Sequence, residues 1–113
     1  MVQMKNRINL SPSKSDLKIV EKWLIEEDKL HNDGFYCNWN IIEKSFKSNE
    51  LITFESNEKI IGFTVYSKRD IYVEIDILEI NRDYRKKGFG KIFFKEIAQE
   101  FTNQNIIAIK LFC

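Results

Sequence analysis

Residues 85–91 read Arg-Lys-Lys-Gly-Phe-Gly-Lys, and apolar residues at helical spacing follow at once: Ile92, Phe93, Ile97 and Phe101. A helix start leaves unpaired N–H groups pointing outward and carries the positive end of the helix dipole. Gly88 and Gly90 remove Cβ atoms there, so an anion can approach the backbone closely. Arg85, Lys86, Lys87 and Lys91 add positive charge at the same place. The chemistry that fits is phosphate capture, and a pyrophosphate is the natural ligand. A second chemical pair lies upstream. Glu74 and Asp76 stand two apart in "IYVEIDILEI", so strand alternation places both carboxylates on one face.

The elements that must position these groups are legible along the chain. "KNRINL" reads as a first strand. "SPSKSD" starts a helix, with Ser13 and Asp16 spaced as a capping box. Leu17, Val20, Trp23 and Leu24 form its apolar stripe, and it runs to about Leu30. "HNDGFYCN" is a loop, and "WNIIEKSF" a short second helix using Ile41, Ile42 and Phe46. "LITFE", the turn "SNEK" and "IIGFTVYSK" form a hairpin. In "IYVEIDILEI", Ile71, Val73, Ile75 and Ile77 make one apolar face. After the glycine turn come the Ile92–Phe101 helix and a last strand, "IIAIKLF". The order is β-α-α-β-β-β-α-β, an α/β fold with a mixed sheet.

Composition bounds the rest. The chain has 113 residues, 43% hydrophobic and 31% charged, which suits one domain over residues 1–113. A net charge of +1 argues against a general nucleic-acid or membrane-surface binder. No apolar run has the length of a membrane span, and the N-terminus lacks a signal-peptide pattern. Cys37 and Cys113 are too few for a disulfide framework. A reduced, cytoplasmic protein is expected. His31 stands alone, a loop residue after the first helix, so no metal site is expected.

Three phosphate motifs can be set against the turn. A P-loop needs Gly-x-x-x-x-Gly-Lys-Ser/Thr, which is absent. A Rossmann fingerprint needs a third glycine, and Phe93 stands there. The third pattern is Arg/Gln-x-x-Gly-x-Gly/Ala, present as Arg85-Lys86-Lys87-Gly88-Phe89-Gly90. The block "VEIDILEINRDYRKKGFGKIFFKEI" resembles the acetyl-CoA motif of the GNAT N-acetyltransferase superfamily, and the order of elements resembles that fold. The resemblance implies a GNAT-like mixed sheet, with acetyl-CoA as co-substrate. Arg85 to Lys91 would hold the coenzyme A pyrophosphate, and Leu78 to Ile80 the pantetheine and acyl carbonyl. It points to Glu74, eleven residues before Arg85, as the base that deprotonates an acceptor amine, with Asp76 as the second choice. Coenzyme A supplies the activated acyl group, so no nucleophilic side chain is required.

The acceptor would lie against the two helices, an unidentified primary amine. Glu21, Glu26, Glu27, Asp28 and Asp33 outnumber Lys22 and Lys29 there, and Phe35, Tyr36 and Trp39 are aromatic candidates for its pocket. In the family, the fold continues past the last strand with another helix and a hairpin, so the resemblance implies a C-terminally short version. That helix often carries a tyrosine acid. Tyr72 and Tyr84 are near in sequence, and nothing selects either. A truncated, catalytically weak acyl-CoA-binding or interaction module is the alternative, and a small nucleic-acid-binding domain a third reading. The strand from Ile106 to Phe112 is almost wholly apolar, so it is expected to be buried on both faces, with a second copy completing a homodimer.

Overall fold

The structure, a computed structural model, describes residues 5–31 and 38–111. Its elements are β1 (Asn6–Asn9), α1 (Lys14–His31), α2 (Trp39–Lys47), β2 (Leu51–Ser56), β3 (Lys59–Lys68), β4 (Tyr72–Ile80), a 3₁₀ turn (Arg82–Tyr84), α3 (Phe89–Asn103) and β5 (Ala108–Leu111). The order matches the sequence expectation. His31 is the last residue of α1 rather than part of the loop after it. The readings placed on Asp33, Phe35, Tyr36, Cys37, Phe112 and Cys113 lie outside the described residues.

The five strands form one sheet in chain order, β1-β2-β3-β4-β5. The first three pairings are antiparallel and β4–β5 is parallel, with α3 as the crossover. Local chemistry sets the joints. Asp16 Oδ2 accepts from Ser13 N–H at 2.9 Å while Ser13 Oγ accepts from Asp16 N–H at 3.2 Å, the reciprocal capping box. At the β2–β3 turn Asn57 and Glu58 both take positive φ (51° and 70°), which suits the strand twist of a two-residue hairpin.

Each sheet face is covered. Phe89, Phe93, Ile97 and Phe101 of α3 pack on Ile52, Phe54, Val73 and Ile75. Leu17, Val20, Trp23 and Leu24 of α1, with Ile42 of α2, pack on Leu51, Phe63 and Val65. Ile41, read as a core residue of α2, is 49% exposed instead.

β4 departs from simple alternation. Val65 pairs with Ile77 and Tyr66 with Ile75, so Asp76 is an extra residue in a β-bulge. Val73 and Ile75 face α3, but Ile77 packs on the α1–α2 side, and Leu78 and Ile80 return to the α3 side. Ile71 precedes the strand and is exposed. The continuous apolar face expected from Ile71 to Ile77 is therefore broken at Asp76. The last strand also differs from expectation. Among its described residues only Ile106 is buried; Ile107 is 75% and Leu111 57% exposed, so β5 is an open edge rather than a strand buried on both faces.

Candidate active site

β4 runs into the glycine turn. Asn81 N–H donates to Ile61 O at 2.7 Å, and Asn81 Oδ1 caps the 3₁₀ turn by accepting from Asp83 N–H at 3.0 Å. The chain then takes positive φ at Lys86 (65°) and at Gly88 (83°). Gly88 is the N-cap of α3, so the helix starts three residues before Ile92, and Gly90 lies in its first turn. Gly88 has no side chain to cap this end, no capping side chain is seen among the described residues, and no acidic residue sits in the first turn. The first helical hydrogen bond is Ile92 N–H to Gly88 O at 3.2 Å. The amides of Phe89, Gly90 and Lys91 precede it and have no partner along the helix.

The glycines leave this end open. A Cβ at Gly88 would have nothing within 4 Å, and one at Gly90 would meet only Ile80 Cγ1 at 3.9 Å. Lys86, Lys87 and Lys91 are exposed, and Lys87 Nζ lies 5.8 Å from the centre of the Tyr84 ring. Phe89 is different. Its ring is buried in the α3 core, so it offers the turn an amide and an anchor, not a side-chain ligand.

Arg85 keeps its side chain 38% exposed, but its guanidinium is tied to buried partners. Its Nε donates to Ile80 O at 2.8 Å, and its Nη2 reaches Glu79 and Glu27. Glu27, counted with the acidic acceptor side of α1, is buried against this turn and removed from that surface. Neither Glu27 nor Glu79 carries a sequence pattern that marks it.

The described residues of β5 end opposite Ile75, while β4 runs on to Ile80 with β3 alone beside it. Leu78 and Ile80 thus lie on a stretch of strand whose β5 side is unpaired among the described residues. Upstream, Ser67 stands opposite Glu74 in the ladder, and its Oγ lies 3.5 Å from Asp76 Oδ2. Both carboxylates therefore share one face, as the spacing predicts. Asp76 is exposed, and the Glu74 side chain is 18% exposed. Arg69 Nη2 lies 3.6 Å from Glu74 Oε2. Lys110 is the β5 neighbour of Glu74, and its Nζ sits 4.8 Å from the centre of the Tyr72 ring. Glu74 and Ile80 are six strand residues apart, about 20 Å.

Among the described residues two groups carry raised pKa values, and neither belongs to this face. Burial, then the Glu50 charge, raises the Tyr66 phenol, and burial raises the Glu96 carboxyl on α3. Trp39 lines a cleft of about 300 Å³ between α1 and α2 whose rim carries both signs of charge, Lys14, Lys18 and Lys47 with Glu21 and Glu43. A cavity of about 450 Å³ beside Tyr84 is more acidic, bordered by Asp16, Glu55, Glu58 and Asp83 with Lys59.

The sequence model of the acetyltransferase (GNAT) family matches residues 15–113. This chain belongs to the GNAT acetyltransferase family. No curated protein matches the sequence. Solved structures similar to this GNAT chain include the ribosomal-protein-S18-alanine N-acetyltransferase from Escherichia coli, at 19% identity and TM-score 0.68, covering 95% of this chain and 66% of that one. The PaiA N-acetyltransferase from Thermoplasma acidophilum, in complex with coenzyme A, gives 16% identity, TM-score 0.67, and 99% and 80% coverage. A GNAT family acetyltransferase from Staphylococcus aureus gives 21%, 0.66, and 99% and 87%. The chain thus spans just under two thirds of the E. coli enzyme. At these identities the likeness is one of fold.

Proposed function

We propose that this GNAT chain binds acetyl-CoA and transfers its acetyl group to a primary amine. The observation that carries the reading is the start of α3: an uncapped helix end, two glycines open to approach, and Lys86, Lys87 and Lys91 around it. Helix amides and dipole together favour a phosphate at such a place. Coenzyme A in the Thermoplasma relative supports the choice of ligand. The pyrophosphate lies on the amides from Gly88 to Lys91, and Arg85 contributes backbone rather than side chain. The pantetheine arm follows the unpaired side of β4 past Ile80 and Leu78, toward the carboxylate face.

There Glu74 takes a proton from the acceptor ammonium, directly or through water. The freed amine attacks the thioester carbonyl carbon, and a C–N bond forms. The C–S bond then breaks, and the departing thiolate takes up the proton that the new amide nitrogen gives up, directly or through water. Glu74 must first exchange Arg69 for the substrate ammonium, and Asp76 sits close enough to favour a cation on the same face.

Acyl-CoA binding without efficient turnover is the second reading. The Arg69 contact favours it, because it already occupies the carboxylate that would act as base. Turnover of acetyl-CoA over a panel of primary amines separates the two. Free thiol release above the amine-free rate supports transfer. Binding with no release supports the module.

A further inference from the structure

We infer that Glu27, on α1, is a positioning residue for the phosphate turn, acting through Arg85; this rests on the acetyl-CoA reading of that turn. Glu27 is 7% exposed, and a buried carboxylate is costly unless it is paired. Its Oε1 accepts from the Arg82 backbone N–H at 2.9 Å, and its two oxygens lie 3.4 and 3.5 Å from Arg85 Nη2. Both groups belong to the turn. The same guanidinium is shared with Glu79, 5% exposed at the end of β4, while its Nε holds Ile80 O. One side chain therefore ties the turn to β4 and to α1.

The turn needs an outside hold. Among the described residues its backbone hydrogen bonds stop at Arg85 N–H to Arg82 O (3.3 Å) and resume at Ile92 N–H to Gly88 O (3.2 Å). Between them lie the two positive-φ residues, Lys86 and Gly88. Lys86 is not a glycine, so that backbone state is costly and persists only where its surroundings enforce it. The Arg85 fork is the fixed point directly before it. The pairing also neutralises Arg85, which leaves Lys86, Lys87 and Lys91 as the side-chain charges facing a phosphate. Because α1 forms the other face of the sheet, the same contact links the acceptor-side helix to the coenzyme turn.

Amide hydrogen exchange on the 113-residue chain and on Glu27→Gln, with acetyl-CoA titrated into both, tests this. Glu27→Gln keeps the shape and removes the charge. Exchange should rise about tenfold across residues 82–85, whose amides are hydrogen-bonded, and stay unchanged in β2 and β3, a selectivity that a general loss of packing would not give. Acetyl-CoA affinity should fall about tenfold, and Glu27→Gln/Arg85→Gln should bind no more weakly than the weaker single variant, since the two act as one unit. Unchanged turn exchange, equal loosening of the whole sheet, or a double variant with the product of the single losses would overturn the inference. If Glu27→Gln does not fold, Arg85→Lys carries the same comparison, keeping the charge and losing the fork. If the parent binds no acetyl-CoA, the proposed function falls, and the exchange data still decide whether Glu27 holds the turn.

Discussion

Gly88 and Gly90 both leave space at the start of α3, but they are not equivalent as probes. Gly88 has φ 83°, so any side chain there strains the backbone whatever the room available. Gly90 carries no such demand, and valine is no worse than glycine in a helix interior. Gly90→Val should therefore keep the melting temperature of the parent and lose at least about tenfold in acetyl-CoA affinity, read by calorimetry beside a thermal melt. At the other end of β4, Glu74→Gln should lower turnover by about 10²–10⁴-fold while leaving acetyl-CoA affinity intact. An unchanged rate across the pH range would remove Glu74 from the mechanism. The glycines and lysines were legible because a helix start has a local pattern. The direction of the Arg85 side chain was not, because its partner Glu27 lies 58 residues away.

The strand and helix patterns were legible where one element meets one core. Ser13 and Asp16 cap α1, and the Leu17 to Leu24 stripe is buried. The bulge at Asp76 was not legible, since it is a mismatch of register between two strands and neither strand alone encodes it. Gly62 shows how closely these strands meet beside the turn. A Cβ there would lie 2.7 Å from Glu79 O and 2.8 Å from Ile80 Cδ1 and Phe54 Cδ2. Gly62→Ala should destabilise the fold by about 1–3 kcal/mol in denaturant unfolding, by overpacking the residues that Arg85 holds. Ile41→Ala, on the exposed side of α2, should change stability by less than about 0.5 kcal/mol.

Across the whole molecule, the order of elements carried the fold, and the edge of the sheet was misread. An apolar strand was expected to be covered on both faces, yet Ile107 and Leu111 are exposed, and Ile71 stands beside Ile107, joined by Ile107 N–H to Ile71 O at 2.8 Å. Exposed apolar edges recruit further strands. We propose that a second copy covers this edge in the 113-residue chain, so sedimentation at micromolar concentration should give a dimer, and Ile107→Lys/Leu111→Lys should return it to monomer. A monomeric parent would contradict this. At the glycine turn, the start of α3 is expected to hold the phosphates of acetyl-CoA. Calorimetry of the parent with acetyl-CoA tests it in one experiment. Saturable one-to-one binding is expected, competed by free coenzyme A and lost in Gly90→Val. No binding of acetyl-CoA, or equal binding by a folded Gly90→Val, would contradict it.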